Sequence, residues 1–89
     1  MLISETIAVN NSTPTLIIDG AALGEYVAHI ECSDPVIIGT SSVTTSNGLL
    51  ITPAGTNTDA IFTIRTQGED VYAVSVGSAA AVGIFAYTA

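Results

Sequence analysis

Glu25-Tyr26-Val27-Ala28-His29-Ile30-Glu31-Cys32 decides the fold, because it reads in two ways. Leu23, Tyr26, Val27 and Ile30 fall at helical spacing. Tyr26, Ala28, Ile30 and Cys32 also alternate with Val27, His29 and Glu31, the period of a strand with one buried face. Gly24 weakens a helix here, and a strand agrees with its neighbours, so the stretch is read as a strand.

Toward the N-terminus, Thr15-Leu16-Ile17-Ile18 and Thr6-Ile7-Ala8-Val9 read as two more strands. Asn10-Asn11-Ser12-Thr13-Pro14 separates them as a turn cluster, where Asn and Ser side chains bond their own backbone and Pro fixes φ. Asp19-Gly20 closes the second of these strands with a dipeptide that tolerates positive φ. Toward the C-terminus, Asp34-Pro35 starts a further edge, followed by Val36-Ile37-Ile38. Thr40 to Gly48 is polar and aperiodic, a long loop with Asn47-Gly48 as its turn signal. Leu49-Leu50-Ile51 returns to the core and Pro53-Ala54-Gly55 turns the chain. Alternation resumes in Ala60-Ile61-Phe62-Thr63-Ile64-Arg65. Gly68-Glu69-Asp70 then turns into Val71 to Val76, and Val82 to Tyr87 is the last strand. Such spacing predicts a compact antiparallel β-sandwich or jelly-roll-like barrel of roughly seven to eight short strands.

The 89 residues make one domain, residues 1–89, with residues 1–5 as an N-terminal arm. An apolar share of 48 % argues against disorder. No apolar run reaches the roughly 18–20 residues of a membrane helix. Glu5 stands where a signal peptide carries positive charge, so use without secretion is expected. Eight acidic residues face a single basic one, Arg65, for a net charge of −7. Phosphate neutralisation needs Lys or Arg, so neither nucleic acid nor an anionic membrane is an expected partner. The charge suits a solvated surface or a basic partner.

No catalytic set emerges. His29 is the only histidine and Cys32 the only cysteine. On a strand, residues three apart point to opposite faces, so the two form no dyad. His29 is expected at an exposed rim, and Cys32 as a small buried hydrophobe. The serines lack a nucleophile elbow, and one His with one Cys builds no zinc site. Asp19, Asp34, Asp59, Glu69 and Asp70 sit in turns without calcium-loop spacing. No metal or cofactor is expected, and the chain reads as a non-enzyme. The sequons at Asn10 and Asn11 are read as part of a turn.

Several pieces in order resemble a recurrent small virion protein of tailed bacteriophages. They are Thr13-Pro14-Thr15-Leu16-Ile17, a strand ending near Cys32, Asp34-Pro35-Val36-Ile37-Ile38-Gly39, Val43-Thr44-Thr45-Ser46-Asn47-Gly48, Pro53-Ala54-Gly55 and Asp70-Val71-Tyr72-Ala73-Val74-Ser75. The chain departs from that pattern at Glu25 to His29, where basic residues are common in the relatives. The resemblance implies a capsid decoration (cement) protein on the outer surface of the virion, a homotrimer that binds the major capsid protein and stabilises the shell. The alternative it leaves is a receptor- or glycan-binding or anchoring module of a phage fibre. A glycan site needs an exposed aromatic platform. The chain has no Trp and has Tyr26, Tyr72 and Tyr87, two of them in alternating strands that favour core positions. Two protein-binding regions are expected. One is the arm, Leu2, Ile3, Ser4 and Glu5, which would add a strand to a neighbour; the competing reading is that Leu2 and Ile3 pair within the domain's own sheet. The other is the loop, Val43, Thr44, Thr45, Ser46 and Asn47, whose hydroxyls would meet a partner's backbone.

Overall fold

The computed structural model describes residues 2–53 and 62–89, with the backbone alone over 62–66. The elements in chain order are β1 (Leu2–Asn10), β2 (Thr15–Ile18), α1 (Gly20–Leu23), β3 (Glu25–Cys32), β4 (Val36–Gly39), β5 (Leu49–Ile51), β6 (Phe62–Gln67), β7 (Val71–Ser75) and β8 (Ala79–Thr88). The turn expected at Pro53-Ala54-Gly55, the Asp59 carboxylate and the strand start at Ala60-Ile61 lie outside the described residues.

The strands pair as a nest, all antiparallel: β1 with β8, β2 with β7, β3 with β6 and β4 with β5. Pairing of β3 with β8 and of β4 with β7 then joins the nest into two sheets, β1-β8-β3-β6 and β2-β7-β4-β5. First strand against last, second against seventh, is one long hairpin folded across itself. That is the topology of a jelly roll, so the all-β sandwich expected from the strand spacing is the fold.

The core lies between the sheets. Tyr26, Ala28 and Ile30 of β3 and Val82, Ile84 and Ala86 of β8 face Ile17, Val36, Ile38 and Ala73 of the second sheet. Tyr26 is fully buried, and its hydroxyl donates to the Glu69 carbonyl at 2.7 Å. Burial raises the Tyr26 pKa first, and the charges of Asp70 and Glu69 add to the rise.

Local chemistry explains the connections. Asn10 Oδ1 accepts from the Ser12 and Thr13 amides at 3.0 and 2.9 Å, the turn expected of that cluster. Asp19-Gly20 is not a positive-φ turn. Asp19 instead caps the single-turn α1 by accepting from the Ala22 amide at 3.3 Å. Asp70 reaches across to accept from the Gly20 amide at 2.9 Å, and a Cβ on Gly20 would overlap the Glu69 backbone. Asp70 is therefore a hook between segments, and Asp19 a local cap. Asp34-Pro35 does not start an edge either. β4 is an interior strand, and Pro35 is tolerated because it precedes the ladder.

The first strand begins at Leu2 and not at Thr6. Residues 2–5 pair with Tyr87–Ile84 as the first half of β1, so of the two readings of this segment the structure takes the one within the chain's own sheet and not the free arm. Ile3 and Ile7 pack against the core from this edge, which rewards the longer ladder. Glu5 holds the position between them but stays exposed, a charge that guards an edge strand against unwanted pairing.

Candidate interaction surface

Each sheet has an outer face, and both carry apolar residues. On the sheet β2-β7-β4-β5, Ile37 and Val74 are cross-strand neighbours that point away from the main core. They are nevertheless 8 % and 2 % exposed, because the loop over 40–48 folds back and seats Val43 on them, beside Tyr72. The loop is braced from within. The Val43 amide donates to the Thr40 carbonyl at 3.0 Å. The Thr44 amide donates to Asn47 Oδ1 at 2.8 Å, and the Asn47 amide returns a bond to the Thr44 carbonyl at 3.3 Å. Gly48 then holds φ +111°, and a Cβ there would lie 2.5 Å from the Ile38 carbonyl oxygen. Leu16 and Leu50, on the two edge strands, remain exposed.

The outer face of the other sheet has no such cover among the described residues. Here the outward positions of β8 are Ala79, Ala81, Gly83, Phe85 and Tyr87. Leu2 stands opposite Tyr87 on one side and Val27 on the other, while Ser4 and His29 flank Phe85. His29, Phe85 and Tyr87 form a ring cluster with centroids 6.1–6.3 Å apart. Phe85 is 45 % exposed, Tyr87 37 % and Leu2 62 %. Toward Ala79 the relief drops, because Gly83 and Ala81 carry almost no side chain. The result is a trough along β8 with a depression of about 310 Å³ beside Phe85, continuing over Ala81.

Of the residues expected at partner contacts, Leu2 and Ser4 reach the outer face of the first sheet, and Glu5 lies exposed along its edge. Ile3 is turned inward and half-buried. Val43 is buried, so its side chain is the loop's anchor and not an outward contact. Thr44, Thr45, Ser46 and Asn47 are exposed, but Thr44 and Asn47 already spend hydrogen bonds on each other, and Thr44 Oγ1 accepts from the Ser46 amide at 3.2 Å. The arm residues and the loop residues belong to different sheets and form no single site.

The aromatic cluster is the feature that sequence reading passed over. Tyr26 is in the core and Tyr72 half-buried, but Tyr87 stands outside with Phe85. The signal was the parity of β8, where the pair falls in register with Gly83 and not with Val82 and Ile84.

Cys32 and His29 face opposite ways across β3. Cys32 packs half-buried against the core, its thiol 3.7 Å from the Ile51 carbonyl oxygen, and His29 belongs to the outer cluster. Burial, then the charges of Asp34 and Glu31, push the Cys32 thiol up, which opposes thiolate formation. Among the described residues no three His, Cys, Asp or Glu side chains gather as a metal site, and no helix is long and apolar enough to cross a membrane. The chain matches no protein-family model, and no curated protein matches it in sequence.

Proposed function

We propose that this chain is a capsid decoration module, binding the major capsid protein on the outer face of a tailed-phage shell. The observation that carries the reading is the exposed cluster of Leu2, Phe85 and Tyr87, which no segment among the described residues covers, whereas Ile37 and Val74 on the opposite outer face are covered by the chain's own loop. Monomeric surfaces rarely leave large apolar side chains grouped unless something binds there. The resemblance in segment order and the net charge of −7 support the same reading, since an acidic module is repelled by packaged DNA. Several copies around one local symmetry axis, a homotrimer in the simplest case, would add modest contacts into avidity. Binding the assembled shell and not its free subunits would stabilise the shell by linkage.

Cosedimentation with shells stripped of the protein, after molar-mass measurement of the free chain, tests this. Saturation at a fixed copy number, with shells that then resist heat and low salt, is the expected result. A monomer that ignores shells would overturn it. The aromatic cluster also favours a second reading, a glycan-binding module of a fibre, because Phe85 and Tyr87 offer the ring platform that such sites use. Selective binding on a glycan array would move the weight there.

A further inference from the structure

We propose that the trough along β8 receives one basic side chain, arginine or lysine, projecting from the partner protein. The inference rests on the reading of this chain as a protein-binding module and names what its outer face recognises.

The trough has the three things that such a side chain needs. Its floor is Ala81 beside the Gly83 backbone, low enough for a methylene stem. Its end wall is the exposed Phe85 ring, against which a cation is attracted. Its side wall is Glu31. A Cβ on Gly83 would lie 3.1 Å from Glu31 Cγ and 3.2 Å from Oε1, so the Glu31 side chain lies against the Gly83 backbone and brings its carboxylate to the edge of the trough. Thr6 closes the opposite side. An acid, a ring and an apolar floor around one opening match a guanidinium or ammonium group better than a neutral ligand.

Charge decides the occupant. A second copy of this chain brings eight acids and a single basic residue, Arg65, so face-to-face self-association sets like charges together. A partner surface carrying Arg or Lys meets the opposite condition, and the field of the whole chain steers it in.

The test uses the intact protein, ¹⁵N-labelled, titrated with a blocked pentapeptide of alanines around a central arginine. The matching peptide with neutral citrulline is the control. Amide shifts are expected at Gly83, Glu31 and Phe85, with the citrulline peptide about fivefold weaker or more. Glu31→Gln should narrow the difference between the peptides to what the Phe85 ring supplies, and Gly83→Val should fill the trough and abolish both sets of shifts, while an unchanged spectrum elsewhere certifies the fold. Equal binding of both peptides, shifts elsewhere, or full arginine binding by Glu31→Gln would overturn the proposal. Self-association through the trough that Arg65→Gln removes would also overturn it. No shell enters the titration. A protein that sediments with shells but ignores arginine loses only this inference, and one that takes arginine but ignores shells loses only the decoration role.

Discussion

The two outer faces of this sandwich meet the same problem in different ways. Both sheets turn apolar residues away from the core. On β7 and β4, Val74 and Ile37 are covered because the loop over 40–48 returns to place Val43 on them. On β8 and β3, Phe85, Tyr87 and Val27 have no segment among the described residues laid over them, and Phe85 and Tyr87 stay open to solvent. The difference teaches that an exterior hydrophobe carries meaning only relative to the chain available to cover it. Where a loop is at hand the face becomes a second small core. Where none is among the described residues, the face stays open to solvent.

The covered face should break first. Gly48→Val forces a branched side chain into φ +111° and against the Ile38 carbonyl. A loss of about 3 kcal/mol is expected, read as a lower urea midpoint. If stability were unchanged, the loop would not depend on that turn. Val43→Ala keeps the turn but empties the seat on Ile37 and Val74. About 2 kcal/mol should go, and dye binding should rise as the second face comes to resemble the first.

Tyr26→Phe touches neither face and calibrates both. It removes the bond to the Glu69 carbonyl, at a cost of about 1 kcal/mol. It also tests pH dependence. The fold opposes ionisation of Tyr26, so its neutral form contributes stability that is whole below the unfolded phenol's value of about 10. That contribution is lost as pH rises through the higher folded value. The variant should show a shallower alkaline decline, with the raised Cys32 thiol supplying part of what remains.

Phe85→Ser is the smallest effect on stability and the sharpest on function. An exposed ring on the bare face should cost no more than about 0.5 kcal/mol. Shell binding should nevertheless fall. A large loss of stability would mean that Phe85 is structural, and the contrast between the faces would fail.

Much of the architecture was legible in local alternation. Thr15–Ile18 lies where its pattern puts it, and Glu25–Cys32 is a strand because Tyr26, Ala28 and Ile30 share one buried side. α1 was not legible, since a four-residue turn leaves no period to read. The candidate site was mostly hidden. Leu2 and Ser4 were anticipated as contacts, though alternation alone left open whether they pair within the chain's own sheet or reach to a neighbour, and Val43 was assigned outward when it points in. A lone valine in a polar loop does not announce that it folds back.

Period-2 patterning and turn chemistry are local, so the amino-acid order alone determined an acidic, all-β chain of short strands. Tertiary structure decided which apolar residues are core. In β8 both parities are nonpolar, Val82 and Ile84 on one and Phe85 and Tyr87 on the other. Only pairing with β1 and β3, and the second sheet packed on one side, selects which set is buried. A single strand has two equivalent faces, and the neighbour that makes one of them the inside arrives from far along the chain.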